Sequence, residues 1–435
     1  YVGGAITHFW ADATLRIDNV DSERKIVKSM DPHVYSLIPG ASWGQQYKIY
    51  FGNIFAEIDR PGESYVDREK NILYFYPISD VETATMTVST LQNYMFKFDG
   101  ASNITFKDIN FKESRATALY MTSSNNIVVD GAEVSGMSDS GICISKSTDC
   151  TVKNSRFFNI CNNGIRIEGG DRVNLVPSNN IIENNYFHLC ALRAPNNLTA
   201  VLGYESVGNI IRHNEFDDLR SMAIQLIRSN DYLIEYNTFS NSLYFASDLS
   251  AIYFGRDISV LGHIIRYNYF SNFSSDCWAL QEGYVDGVFW DDGSVGPELY
   301  GNVFYNAGRE LSQFRTNGGE IADARNNILI DENNLRYAAY VWGWGTRSYS
   351  YKDGDKTVAL NANIPACNWL YLMNMRDLLG TTEGSTNRNE VNSNTFTDAL
   401  KTLVWSDAWK EHYKGTLWEK ALKLYSKELY DGAKV

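Results

Sequence analysis

From about residue 99 to 335 the chain repeats one short motif: an alternating apolar and polar run such as NIIRHNEF, YLIEYNTF or HIIRYNYF, followed by a polar turn. No apolar periodicity of helical length lies between successive runs, so the motif reads as strands without crossover helices. Aligning INFKES, AEVSGM, SRFFNI, NYFHLC, NEFDDL, NTFSNS, NYFSNF, NVFYNA and NILIDE on their shared apolar position puts markers at Phe111, Val134, Phe157, Phe187, Phe216, Phe239, Phe270, Phe304 and Leu329. The gaps between them are 23, 23, 30, 29, 23, 31, 34 and 25 residues, a base period near 23 with inserted loops. That period predicts an all-β fold, a right-handed parallel β-helix, in which each strand pairs with its equivalent one coil away at about 4.8 Å.

An asparagine stands two residues before the marker in six repeats, at Asn185, Asn214, Asn237, Asn268, Asn302 and Asn327. Asparagine tolerates left-handed backbone angles and bonds nearby backbone groups, so the column is expected to satisfy corner amides from coil to coil. One functional residue needs no six copies, and the column is read as structural.

The flanks differ in kind. Residues 1–98 are non-repetitive and β-rich, with YKIYFGNIF and NILYFYP on either side of the turn Arg60-Pro61-Gly62, and read as a small β-domain against the first coil. Residues 99–335 form the solenoid. Residues 336–435 lose the repeat, and Thr397 to Lys427 then shows apolar 3-to-4 spacing, a helical segment expected to cap the end of the solenoid and shield its strand edges.

Composition removes several function classes. Of 435 residues, 44% are apolar and 21% charged, a globular balance with no run long enough to span a membrane. The net charge of −13 would repel a phosphate backbone, so nucleic acid is not an expected partner. The first ten residues carry no basic segment followed by an apolar one, and hence no visible secretory signal. Six cysteines, Cys143, Cys150, Cys161, Cys190, Cys277 and Cys367, show no metal-ligand spacing and are equally compatible with disulfides or buried thiols. N-x-S/T triplets at Asn103, Asn197 and Asn272 point weakly to an extracellular or secreted location. No cofactor or metal is expected: HExxH, Walker and GxGxxG motifs are missing from the chain, as are calcium-loop patterns.

Ligands of solenoids lie on the lateral face, among loops that interrupt the period. The longest insertions fall between Phe239 and Phe270 and between Phe270 and Phe304, and read SDLSAIYFGRD and CWALQEGYVDGVFWDDGSVG. Placing Ala251-Ile252-Tyr253 beside Val288-Phe289-Trp290 brings Asp248 and Asp257 of one coil near Glu282, Asp286, Asp291 and Asp292 of the next. Tyr253, Trp278, Tyr284 and Trp290 lie around them. Paired carboxylates beside exposed rings suit cleavage of a glycosidic bond, one acid protonating the leaving oxygen while another activates water or attacks. Acidic loops also bind hard cations or merely form turns, and these readings stand beside the catalytic one.

The runs IIRHNEF, YLIEYNTF, DLSAIYFGRD, HIIRYNYF, VFWDDGSVGPELYGNVF and NGGEIADARNNILI, with FGNIFAEIDRPGESYVDREKNILYFYP before them, resemble glycoside hydrolase family 141, right-handed parallel β-helix enzymes. WKEHY near Trp409 is similar to a helical segment found later in such proteins. Members include α-L-fucosidases and xylanases acting on plant cell-wall polysaccharides, so the resemblance implies a polysaccharide or glycan substrate. By motif position Asp248 matches the acid of the family's Asp-Ala-Gly-Ala-Ile-Tyr pattern, and Asp291 and Asp292 match its Tyr-Leu-Asp-Asp-Gly pattern. These three are the implied catalytic residues, with Tyr253, Arg256, Asp257, Trp278, Glu282 and Trp290 as implied substrate contacts. Leu249-Ser250 replaces Ala-Gly, Ser271 stands where the family has Ile-His-Asp, and Ser294-Val295-Gly296 follows Asp-Asp-Gly. A non-catalytic β-helix that binds glycans, or assembles with other chains through its solenoid ends, is the alternative expectation.

Overall fold

A computed structural model describes residues 1–8, 11–32, 49–194, 198–245, 247–255, 260–273, 284–291, 294–309, 312–317, 322–332, 340–342, 349–353, 356–360, 407–419 and 422. Three parallel sheets of ten, nine and nine strands wind around one core, each coil contributing a strand to the first, second and third sheet in turn. Phe96–Asp99 opens the first sheet, Ser102–Lys107 the second and Asn110–Ser114 the third. The fold is therefore the parallel β-helix that the repeat predicts.

The register agrees with the sequence alignment at every step. Phe111 pairs with Val134, Val134 with Phe157, and so on through Phe187, Phe216, Phe239, Phe270 and Phe304 to Leu329. Because strand side chains alternate faces, a period that repeats the apolar residue also repeats its inward direction. The rings of Phe157, Phe187, Phe216, Phe239, Phe270 and Phe304 stack at centroid separations of 4.6 to 4.9 Å. All six are fully buried.

The asparagine column lies at the corner between the second and third sheets. Each Nδ2 donates to Oδ1 of the next asparagine at 3.0 Å, from Asn185 through Asn214, Asn237, Asn268 and Asn302 to Asn327. The same Oδ1 accepts the backbone N–H of the preceding asparagine at 2.9 to 3.0 Å. Ser155 continues the ladder one coil earlier, accepting from Ala132 N–H and donating its own N–H to Asn185 Oδ1, both at 3.0 Å. One expectation is corrected here. The left-handed residue is the one before each ladder position, as at Asn184, His213, Tyr236 and Tyr267 with φ of 53° to 57°. The ladder asparagine is selected for its hydrogen bonds, and its neighbour makes the bend.

Before the solenoid, Val2–His8 pairs antiparallel with Ala11–Leu15 and with Ile49–Phe51, and hairpins join Ile17–Asp21 to Ile26–Ser29 and Ser64–Asp67 to Ile72–Phe75. Near the other end of the chain, Tyr349–Asp353 and Lys356–Leu360 form a hairpin, and Asp407–His412 is helical.

This helix and the turn after it lie along the flank of the solenoid and do not cap its end, contrary to the sequence expectation. Trp409 Nε1 donates to the Arg172 carbonyl at 2.9 Å, Tyr413 OH to Asp231 Oδ1 at 2.9 Å, and Trp418 Nε1 to the Gly296 carbonyl at 3.2 Å. All three contacts fall between the first and second sheets, in successive parts of the stack. The physical reason is the placement of the aromatic residues on the segment: three large rings need apolar cover together with a carbonyl or carboxylate for each polar tip, and the flanking turns provide both.

Cys143, Cys150, Cys161 and Cys190 are free thiols, and burial pushes Cys143 and Cys190 up to about 12. Cys277 and Cys367 lie outside the described residues. Among the described residues no helix is long and apolar enough to cross a membrane.

Candidate functional site

The two inserted segments enter the first sheet as its longest strands, Leu249–Gly255 and Val285–Asp291. The pairing is Ile252 with Val288, Tyr253 with Phe289, Phe254 with Trp290 and Gly255 with Asp291. It differs by one residue from the sequence register, which set Ala251 opposite Val288. Leu249, Ala251, Ile252 and Phe254 all belong to the core, as do Val285, Val288 and Trp290. Two successive inward residues at Ala251-Ile252 break the simple alternation, and the one-residue difference reverses the face assigned to each side chain. Ser250, Tyr253, Asp286, Phe289 and Asp291 consequently turn away from the core.

Trp290 is corrected by the same geometry. It is 3% exposed, packs inward and stacks on Phe314 at 6.1 Å, so it is a core residue and no sugar platform.

Asp248 stands just ahead of its strand with φ of +62°, a left-handed conformation that aspartate tolerates better than most residues. Its N–H donates to the Tyr284 carbonyl at 2.9 Å, while Ser247 Oγ accepts the Tyr284 N–H at 2.9 Å. The first residues of one inserted strand are thereby clamped to the first residues of the next.

Beneath this clamp lies a buried cationic centre that the sequence reading missed. Arg315, from the following coil's strand Phe314–Asn317, donates through Nε to Asp286 Oδ2 at 2.8 Å and through Nη1 to Asp248 Oδ1 at 2.9 Å. Its guanidinium carbon sits 3.6 Å from the Phe289 ring centroid and 4.7 Å from that of Tyr284. Ser312 Oγ donates to the other Asp286 oxygen at 2.8 Å.

On the neighbouring position Tyr253 OH donates to Asp291 Oδ2 at 3.0 Å. A Cβ on Gly255 would lie 3.0 Å from both the Tyr253 hydroxyl and Asp291 Cβ, so a larger residue there would crowd that contact.

Burial sets the charges. Asp286 is wholly buried, which pushes its carboxyl up to about 6 against the opposing pull of Arg315 and the Ser312 hydrogen bond. Burial works against the charge of Arg315, yet Asp286 and then Asp248 more than offset it and raise its pKa above the ordinary arginine value. The phenol of Tyr284 is pushed up by burial and by the Asp248 charge. Asp248 and Asp286 share Arg315, and the negative charge of Asp291 adds the smallest of the influences on Arg315 and Tyr284.

Of the residues named from sequence, Asp248, Asp291 and Tyr253 share this cluster. Asp292, Arg256, Asp257, Trp278 and Glu282 lie outside the described residues. Asp286 and Tyr284 were read only as neighbours and turn out to be central. Arg315 and Ser312 were missed, although carrying the first-sheet register forward by one coil places Arg315 beside Phe289. Among the described residues no group of three or more His, Cys, Asp or Glu side chains is arranged to hold a metal ion.

Comparison with known proteins agrees with the fold. Residues 71–194 match the family model described as a right-handed β-helix region. A solved structure titled glycoside hydrolase superposes with a TM-score of 0.56 at 16% identity, covering 77% of this chain and 70% of its own. Pectate lyase Pel9A gives a TM-score of 0.33 at 16% identity, covering 53% of this chain and 62% of its own. An alginate lyase from Paenibacillus sp. str. FPU-7 gives 0.38 at 12% identity, covering 58% of this chain and 99% of its own. No curated protein matches the chain. What the fold and these likenesses define is a right-handed parallel β-helix similar to that of a glycoside hydrolase.

Proposed function

We propose that this chain is a carbohydrate-active enzyme that hydrolyses glycosidic bonds in a polysaccharide or complex glycan, with Asp248 and Asp291, joined by Asp292, as the acid and base or nucleophile. The observation that carries this reading is the pairing of the two inserted strands, with Asp248 bound to Arg315 near one end of the pair and Asp291 bound to Tyr253 at the other. One carboxylic acid gives its proton to the glycosidic oxygen as the C1–O bond breaks. The other takes a proton from the water whose oxygen bonds C1, or attacks C1 itself before water releases the sugar. Tyr253, hydrogen-bonded to Asp291 and partly exposed, borders the place where the sugar would lie.

The likeness to a solved structure titled glycoside hydrolase supports glycosidic-bond hydrolysis, the sequence resemblance to family 141 suggests a fucosidase- or xylanase-like substrate, and a substrate of plant cell-wall type accords with a secreted location. The test is release of reducing sugar from fucosylated pectin fragments, xylan and other glycans. Asp248→Asn and Asp291→Asn are each expected to lower turnover on the order of 10²- to 10⁴-fold. Binding without turnover by the unaltered protein would reject the reading and favour a glycan-binding or assembly module, and turnover that survives both substitutions would reject Asp248 and Asp291 as the working carboxylates.

A further inference from the structure

Arg315 is an expensive residue to maintain in its position. It is 5% exposed, and buried ion clusters are often replaceable by apolar side chains of similar volume without loss of stability, so packing alone does not account for a cation there. Its orientation is restrained at Nε and over the guanidinium face, while Nη2 is buried with no hydrogen-bond partner among the described residues. Nε is held by Asp286 at 2.8 Å, the guanidinium plane lies over Phe289, and Ser312 fixes Asp286 in turn at 2.8 Å. Among the described residues, the hydrogen bond that leads out of this buried frame runs from Nη1 to Asp248 Oδ1, at 2.9 Å. Asp248 is also the exposed member of the set, with 23% of its side chain accessible against 0% for Asp286. Its backbone, at φ of +62°, is fixed by the hydrogen bond of its N–H to the Tyr284 carbonyl at 2.9 Å.

We infer that Arg315, braced by Asp286 and Ser312, is the positioning residue that fixes the Asp248 carboxylate toward the reacting bond. The inference rests on the reading of Asp248 as one of the two working carboxylates and adds what aims it. A guanidinium presents donors in a rigid fork, so Nε and Nη1 can bridge two carboxylates at a set angle. A lysine ammonium in the same place would keep the charge and lose the angle. Asp286 is a brace: wholly buried, it has no access to a substrate.

The test compares the unaltered protein with Arg315→Lys and Asp286→Asn by crystal structure and by kinetics on whichever of xylan or fucosylated pectin fragments the unaltered protein cleaves. Arg315→Lys is expected to swing the Asp248 carboxylate by about 1 Å or more and to lower kcat about 100-fold with KM nearly unchanged, since a displacement of that size misaligns the reacting groups. Asp286→Asn, which leaves Arg315 in place without its anionic brace, is expected to lower kcat about 10-fold in the same manner. Should Arg315→Lys fail to fold, Asp286→Asn and Ser312→Ala carry the comparison.

An Asp248 carboxylate that stays in place in the folded variants overturns the inference, as does a loss expressed in KM alone. If the unaltered protein cleaves no glycan the catalytic reading falls, and the position of Asp248 in the Arg315→Lys structure still decides whether Arg315 aims it.

Discussion

Replacing Asn237 by alanine tests whether the asparagine ladder stabilises the solenoid through hydrogen bonds. Asn237 is 1% exposed. Its Oδ1 accepts the Asn214 backbone N–H at 2.9 Å and Asn214 Nδ2 at 3.0 Å, and its Nδ2 donates to the Ile211 carbonyl at 2.9 Å and to Asn268 Oδ1 at 3.0 Å. Alanine removes all four, and Asn268 Oδ1 keeps the Asn237 backbone N–H. Asn214 Nδ2 keeps the Ile182 and Arg212 carbonyls, so it is not orphaned. The Asn214 N–H and the Asn237 partner on Ile211 are left in the interior with lost or weakened pairing. At about 1 to 3 kcal/mol for each unsatisfied buried group, the cost is about 2 to 6 kcal/mol.

Asn327→Ala is the control. It removes equivalent bonds at the end of the column, where the side chain is partly exposed and water can take its place, and about 1 kcal/mol is expected. Denaturant unfolding compares the totals, and amide hydrogen exchange at Asn214 reads the lost acceptor locally, because a stacked repeat need not unfold in one step. A cost below about 1 kcal/mol for Asn237→Ala with unchanged exchange at Asn214 would refute the argument from unsatisfied groups.

Four further outcomes follow from the same structure. Phe239→Ala, which empties the place between Phe216 at 4.9 Å and Phe270 at 4.7 Å, is expected to cost about 3 to 5 kcal/mol in denaturant unfolding, and a cost below about 1 kcal/mol would mean the column relaxes shut. The Asp286 carboxyl is raised from 3.8 to about 6, so the folded state holds its proton more tightly than the unfolded state; the stability this lends is full below pH 4 and is lost as pH rises through about 6. Stability of the unaltered protein minus that of Asp286→Asn should therefore fall by about 2 kcal/mol between pH 4 and 7, and a flat difference would contradict the assigned burial. Gly262→Ala, at φ +88° with its new Cβ nearly on Asp231 Oδ1 and 3.0 Å from Tyr413 OH, should release the flanking aromatic segment, read as increased proteolysis there and a red shift of tryptophan fluorescence. His412 has its pKa raised by hydrogen bonding to Asp231, so that contact strengthens docking below the ordinary histidine pKa and fades as pH rises through the higher folded value.

The coil and its register were legible in the chain because they are repeated. Each marker residue faces the same neighbours one coil away, so one physical requirement, an apolar side chain beside its own equivalent, is written nine times between Phe111 and Leu329. The ladder was legible for the same reason, down to its hydrogen-bonding role, while its left-handed neighbours were not, since Asn184, His213, Tyr236 and Tyr267 share a conformation and no side-chain chemistry.

The candidate site occurs once, and periodicity carries no information about it. Asp248 and Asp291 were found as acids on inserted loops. The inward turn of Trp290 followed from a break in alternation at Ala251 that only the packed strands decided. Arg315 reaches Asp248 across 67 residues of chain. The aromatic segment after Asp407 found its place on the flank through carbonyls at Arg172 and Gly296 that no local pattern announces. Local repetition specifies a stack, and single long-range contacts, each set by burial and charge in the assembled core, specify what the stack presents.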